Sequence, residues 1–152
     1  MLIRAAQHLP SARRVVIVGQ GAQKAELMAL AESLNVTERV QFLDYVDDAA
    51  LKSLYANCSA VFYAPYDEDY GLVTLEAMQS RKPVVTTVDA GGVLEFVRAG
   101  ETGLIAENDP ANIAASIESL FARNPFAKQL GQHGFDSIQH IRWDDVIEKL
   151  TA

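Results

Sequence analysis

The sequence predicts an α/β domain, a three-layer sandwich in which helices cover both faces of a mostly parallel sheet. Apolar or β-branched runs at 14–18, 40–43, 60–64, 83–87 and 103–106 alternate with segments of helical period. Glycine, proline and aspartate punctuate the joints between them, as at Gly19-Gln20-Gly21 and Asp109-Pro110. The 152 residues, 49% of them hydrophobic, suffice for one domain with its own core. Parallel strands need crossovers, and right-handed crossovers lay their helices on the sheet faces.

Residues 1–9 read as a helix with Leu2, Ile3, Ala6 and Leu9 on one stripe, stopped by Pro10. The run 14–18 has the composition of a central parallel strand, and Gly19-Gln20-Gly21 turns it into a helix over 22–34. Strand 40–43 follows, then a helix over 47–56 with Asp47 or Asp48 as N-cap, then strand 60–64. Beyond a second loop and helix come strand 83–87, a short helix over 93–97 and strand 103–106. Asp109 as N-cap with Pro110 at the first helical position starts a helix running to Ala122. Asn124-Pro125 breaks it, and helices over 126–138 and 143–150 complete the chain, which has no internal repeat.

Thirteen basic against twenty acidic residues give a net charge of −7, which argues against a nucleic-acid surface. The single Cys58 cannot form an internal disulfide and reads as a small buried hydrophobe, consistent with a reducing, cytoplasmic location. No run is long enough to span a bilayer, and residues 1–4 lack the plan of a signal peptide. His8, His133 and His140 are scattered and no Cys/His spacing suggests zinc, so no metal is expected.

The chain is organised around the stretch from Ala64 to Met78, in which an acidic loop feeds, through Gly71, a helix carrying Leu72, Leu75, Ala77 and Met78. Glu68 lies on the loop and Glu76 on the second helical turn, with seven residues between them. Both can project into one crevice at the carboxyl end of the sheet, where open α/β folds bind ligands. The ordinary alternative is a solvated acidic loop and a solvated helical Glu. Gly91-Gly92 is either a plain turn or a place where a phosphate or sugar can approach, and Glu95 reads as structural. Unpaired amides at a helix N-terminus stabilise anions, and Gly71, Leu72 and Val73 supply them here without a metal. Gly71, lacking a Cβ, allows close approach and an unusual φ.

Five pieces in register resemble the donor-binding half of a family-4 retaining glycosyltransferase. They are Glu68-x7-Glu76 around Tyr70-Gly71, then Glu76-Ala77-Met78, Lys82-Pro83-Val84-Val85, Asp89-Ala90-Gly91-Gly92 with Glu95, and Gly100-x-Thr102-Gly103-Leu104. The resemblance implies a Rossmann-like domain forming one half of a GT-B enzyme that transfers a sugar, a hexose most simply, from a nucleotide-sugar. It implies that Glu68, at the catalytic centre, contacts hydroxyls of the donor sugar, and that Glu76 holds the ribose hydroxyls. Ionised carboxylates suit vicinal diols, since two oxygens can each accept one O–H. The base would lie against backbone near Gly19 or near Leu43-Asp44-Tyr45, and the substrate nucleotide-sugar replaces any cofactor.

Two positions depart from the family pattern. Asp69-Tyr70 stands where Gly-Phe is commoner, and Arg81 where a helix-ending Gly is usual. The resemblance also places an acceptor-binding N-terminal domain, and a first strand of this domain bearing a basic Arg/Lys pair, upstream of Met1. Residues 1–152 are therefore expected to be a single donor-binding domain that binds nucleotide weakly and transfers no sugar alone. Any membrane contact would be made through the absent half. The rival readings are a glycosidase, whose usual equipment is paired carboxylates, a non-catalytic nucleotide- or dinucleotide-binding domain, and a regulatory partner. The dinucleotide reading rests on Val18-Gly19-Gln20-Gly21 and is weakened by Lys24 at the third glycine position.

Overall fold

The computed structural model describes residues 1–122 and 124–141, and the helix expected over 143–150 lies outside the described residues. In chain order the elements are α1 (Leu2–Ala6), β1 (Val15–Val18), α2 (Lys24–Ser33), β2 (Val40–Leu43), α3 (Asp48–Asn57) and β3 (Val61–Phe62). They continue with α4 (Leu72–Gln79), β4 (Val84–Thr87), α5 (Val93–Phe96), β5 (Gly103–Ala106), α6 (Pro110–Ala122) and α7 (Asn124–Ser137). Every strand pair is parallel, with Val15 opposite Val40, Val61 opposite Val84, and Val84 opposite Gly103.

Capping residues set the helix ends. The Asp47 carboxylate accepts the Ala50 amide at 2.8 Å at the start of α3, and Asp109 accepts the Ala111 and Asn112 amides at 3.0 Å at the start of α6. Helix α4 closes with Lys82 N–H on the Ala77 carbonyl and Arg81 N–H on that of Met78, both at 2.9 Å. This closure demands a left-handed residue, and Arg81 takes φ 54° where glycine is favoured. Its guanidinium lies 3.7 Å from the ring centroid of Phe135 on α7. Helix α2 ends the same way, through Asn35 at φ 54°.

The core sits on the two faces of β4, whose four residues are all at most 2% exposed. Val84 packs with Ala77 and Met78 of α4 and Val93 of α5, while its neighbour Val85, on the opposite face, packs with Leu120 of α6 and Leu130 of α7. Each fully buried Val or Met contributes about 1.5–3 kcal/mol. A second cluster joins Ile3, Ala6, Ala31, Val36 and Val40 around β1 and β2. Helix α3 has no buried residue.

The structure corrects several boundaries. Helix α1 stops at Ala6, with turns carrying the chain to Leu9, and α2 starts at Lys24 because Gly21 to Lys24 forms a turn closed by the Lys24 amide at 3.1 Å. Strand β3 keeps only Val61 and Phe62 of the run 60–64.

The larger difference is in the sheet, which is divided into β1–β2 and β3–β4–β5. The amides of Val15 and Gly19 bond toward β2, and those of Val61 and Tyr63 toward β4. By alternation, Val16, Val18 and Phe62 point their amides to edges that carry no partner strand among the described residues. The run 14–18 is thus not central here, and Val16 and Val18 are 41% and 40% exposed. Val15 and Phe62 nevertheless pack against one cluster formed by Ala5, Leu9, Ala106, Ile113 and Ala114. Both half-sheets therefore rest on α1 and α6.

Candidate functional site at the carboxyl ends of the strands

After β3 the chain crosses the carboxyl end of the sheet before entering α4. Asp67 turns at φ 47°, and the acidic loop lies on the loop after β4: the Asp67 amide bonds to the Asp89 carbonyl at 2.9 Å, and the Gly92 amide to that of Glu68 at 2.6 Å. A Cβ on Gly91 would sit 2.6 Å from the Glu68 carbonyl oxygen, and one on Gly92 only 2.1 Å from that of Asp69. These glycines are required because the acidic backbone rests on them. Gly71 then adopts φ 71°, ψ 61° as the N-cap of α4, with Val93 leaving no room for a Cβ.

Each carboxylate of the pair has a tyrosine partner. The Tyr63 hydroxyl donates to Glu68 Oε2 at 3.1 Å, and the Tyr55 hydroxyl, from the last turn of α3, donates to Glu76 Oε2 at 2.8 Å. Burial first, and the adjoining carboxylate second, push both phenols above their ordinary ionisation range. They therefore remain donors across the physiological range. Tyr70 meets Phe96 edge to face with ring centroids 5.2 Å apart, which keeps an aromatic wall beside Gly71.

Gly19 and Leu43 are brought together, since the Gly19 amide bonds to the Leu43 carbonyl at 3.0 Å and Gly19 takes φ 139°. Asp44 pairs with Lys24 at the start of α2. Tyr45 beside it is 80% exposed and Leu72 65%, so the carboxyl end of the sheet is an open shelf. Two concavities, of about 480 and 290 Å³, lie at the opposite end: one is lined from Arg14 to Val16 and Thr37 to Gln41, the other by residues including Cys58, Arg81 to Pro83 and Lys128. They hold none of the expected site residues. Among the described residues no group of three His, Cys, Asp or Glu could hold a metal ion, and no helix is long and apolar enough to cross a membrane.

Tyr55 and Tyr63 carry no site signal in the sequence. Both lie in apolar stretches that read as packing surface, and only their position opposite Glu76 and Glu68 in space reveals the pairing.

The sequence pattern of the glycosyl transferases group 1 family matches residues 1–136. The chain belongs to this family. As a group 1 glycosyltransferase chain it is 33% identical over 135 residues to the D-inositol 3-phosphate glycosyltransferase of Corynebacterium diphtheriae, covering 88% of this chain and 31% of that protein. It is 36% identical over 103 residues to the human alpha-1,3/1,6-mannosyltransferase, covering 68% of this chain and 24% of that one. The chain thus spans about a third or less of these relatives. Anabaena HepE, solved in complex with UDP and glucose, superposes with a TM-score of 0.89 at 25% identity, over 99% of this chain and 43% of HepE. The fold is accordingly the Rossmann-like α/β fold of GT-B group 1 glycosyltransferases.

Proposed function

We propose that this domain binds the nucleotide-sugar donor of a retaining glycosyltransferase. The observation that carries the reading is the α4 entrance: Glu68 and Glu76 stand before and behind a helix N-terminus opened by a left-handed Gly71, and each keeps Oε1 clear of the tyrosine on its Oε2. The amides of Gly71, Leu72 and Val73 precede the first backbone bond of α4, donated by Thr74 to the Gly71 carbonyl at 2.9 Å, and suit a diphosphate. Glu76 accepts ribose hydroxyls, Glu68 accepts hydroxyls of the sugar, and the base lies toward Gly19 and the Leu43-Asp44-Tyr45 segment. Gly91 and Gly92 serve this site by seating the Glu68 loop.

As the anomeric bond opens, charge grows on the leaving diphosphate, and fixed amides stabilise it with no reorganisation. No side-chain nucleophile or metal is assigned: the acceptor hydroxyl attacks from the face the diphosphate leaves, and its proton passes to the departing phosphate oxygen. Carboxylates hold the ribose and the sugar on either side of the diphosphate, so the protein's contribution is orientation together with electrostatics.

The open edges of β1 and β3 support a further part of this reading: in the whole protein another parallel strand completes the sheet between them, and a second domain supplies the acceptor site. Alone, the chain is a weak binder that transfers no sugar. The ligand class is tested by thermal shift against UDP, GDP, ADP and NAD. Selective stabilisation by one nucleoside diphosphate is expected, and stabilisation by NAD alone would replace the donor with a dinucleotide.

A further inference from the structure

Glu76 is an exposed glutamate on a helix surface, and such a side chain ordinarily samples many rotamers. Immobilising it on binding costs conformational entropy that offsets much of the gain from the hydrogen bonds it then makes. In this chain it is not free to wander. Tyr55 packs its ring against the core cluster containing Ala77 and Met78, and its hydroxyl reaches Glu76 Oε2 at 2.8 Å. The arrangement recurs at the other carboxylate, where the partly buried Tyr63 reaches Glu68 Oε2 at 3.1 Å.

We propose that Tyr55 is a positioning residue for ligand binding: its hydroxyl holds Glu76 through one acceptor site of Oε2 and leaves Oε1 and the second site of Oε2 for the two hydroxyls of a ribose diol. The proposal rests on the donor-site reading and adds to it a group on α3, an element that reading does not otherwise use. A phenol is suited to the task because it donates one bond and, held above its ordinary ionisation range by burial, does not add a second negative charge beside the carboxylate.

The test compares wild type with Tyr55→Phe, which removes one oxygen and keeps the packed ring, using UDP and 2′,3′-dideoxy-UDP in calorimetric titrations of this chain. The expected result is a roughly three- to ten-fold weaker Kd for UDP in Tyr55→Phe, the size of one ordinary hydrogen bond, with equal Kd values for the dideoxy nucleotide in both proteins. Unchanged UDP affinity in Tyr55→Phe, an equal loss for both nucleotides, or tighter UDP binding would each overturn the positioning role. A wild-type chain that binds UDP no better than the dideoxy nucleotide would instead remove the ribose contact itself, and the donor-site reading with it.

Discussion

Arg81 holds a left-handed backbone, which for a residue with a Cβ costs about 1–2 kcal/mol, and offsets part of that by stacking on Phe135, worth about 0.5–1 kcal/mol. Arg81→Ala keeps the strain and loses the stacking, whereas Arg81→Gly loses both. Glycine should therefore be the more stable variant by about 1 kcal/mol in urea unfolding, despite its looser unfolded chain. Tyr55 offers a second test at this scale. Its ionisation is raised by folding, so its contribution is complete below the ordinary phenol value of 10.0 and is lost as pH climbs beyond it. The Tyr55→Phe protein should show a shallower loss of stability above pH 10 than wild type, and parallel curves would contradict the burial and the bond to Glu76. Residues of this kind divide by how local their cause is. That Arg81 occupies a glycine position is legible from the family resemblance, and the local closure of α4 on Arg81 and Lys82 gives its physical reason. That Gly92 must be glycine is not legible, because its φ of −59° suits any residue and only the Asp69 carbonyl, 23 positions away in the chain, forbids a Cβ.

Among the elements, α6 and α3 start where their aspartates predict. Asp109 receives two amides, so Asp109→Ala should destabilise the domain by about 1 kcal/mol, while Asp109→Ser should recover most of it, both read by urea unfolding. Strand β5 is legible because Gly103 opens it and Glu107 to Pro110 close it, whereas Asn124-Pro125, which reads as a break before a helix over 126–138, instead forms the first residues of α7. Strand β3 was overread because an apolar run marks burial and not pairing: only Val61 and Phe62 of that run find ladder partners on β4. Helix α3 shows the same limit from the other side. Leu51, Leu54 and Tyr55 give it an apolar stripe, yet none of its residues is fully buried.

At the scale of the whole molecule, the order of parallel strands is set by contacts far apart in sequence, and alternation of elements says only that a parallel sheet exists. The division into β1–β2 and β3–β4–β5 is accordingly not legible, though the placement of the Glu68 loop and the start of α4 at the strands' carboxyl ends is. Hydrogen exchange on this chain should find the amides of Val16, Val18 and Phe62 much less protected than those of Val15, Ile17 and Val61, and uniform protection would mean that the two half-sheets are joined. If the α4 entrance is a donor site in which Glu76 holds ribose, removing the Glu76 carboxylate must weaken nucleotide binding. Calorimetric titration of wild type and Glu76→Ala with UDP, the nucleotide bound by Anabaena HepE, addresses it most directly. Measurable binding to the wild type is expected, with at least a roughly ten-fold weaker Kd in the variant from the loss of charge-assisted hydrogen bonds and a stability loss no larger than the one Tyr55 bond, about 1 kcal/mol. Equal affinity in the two proteins would contradict the donor-site reading.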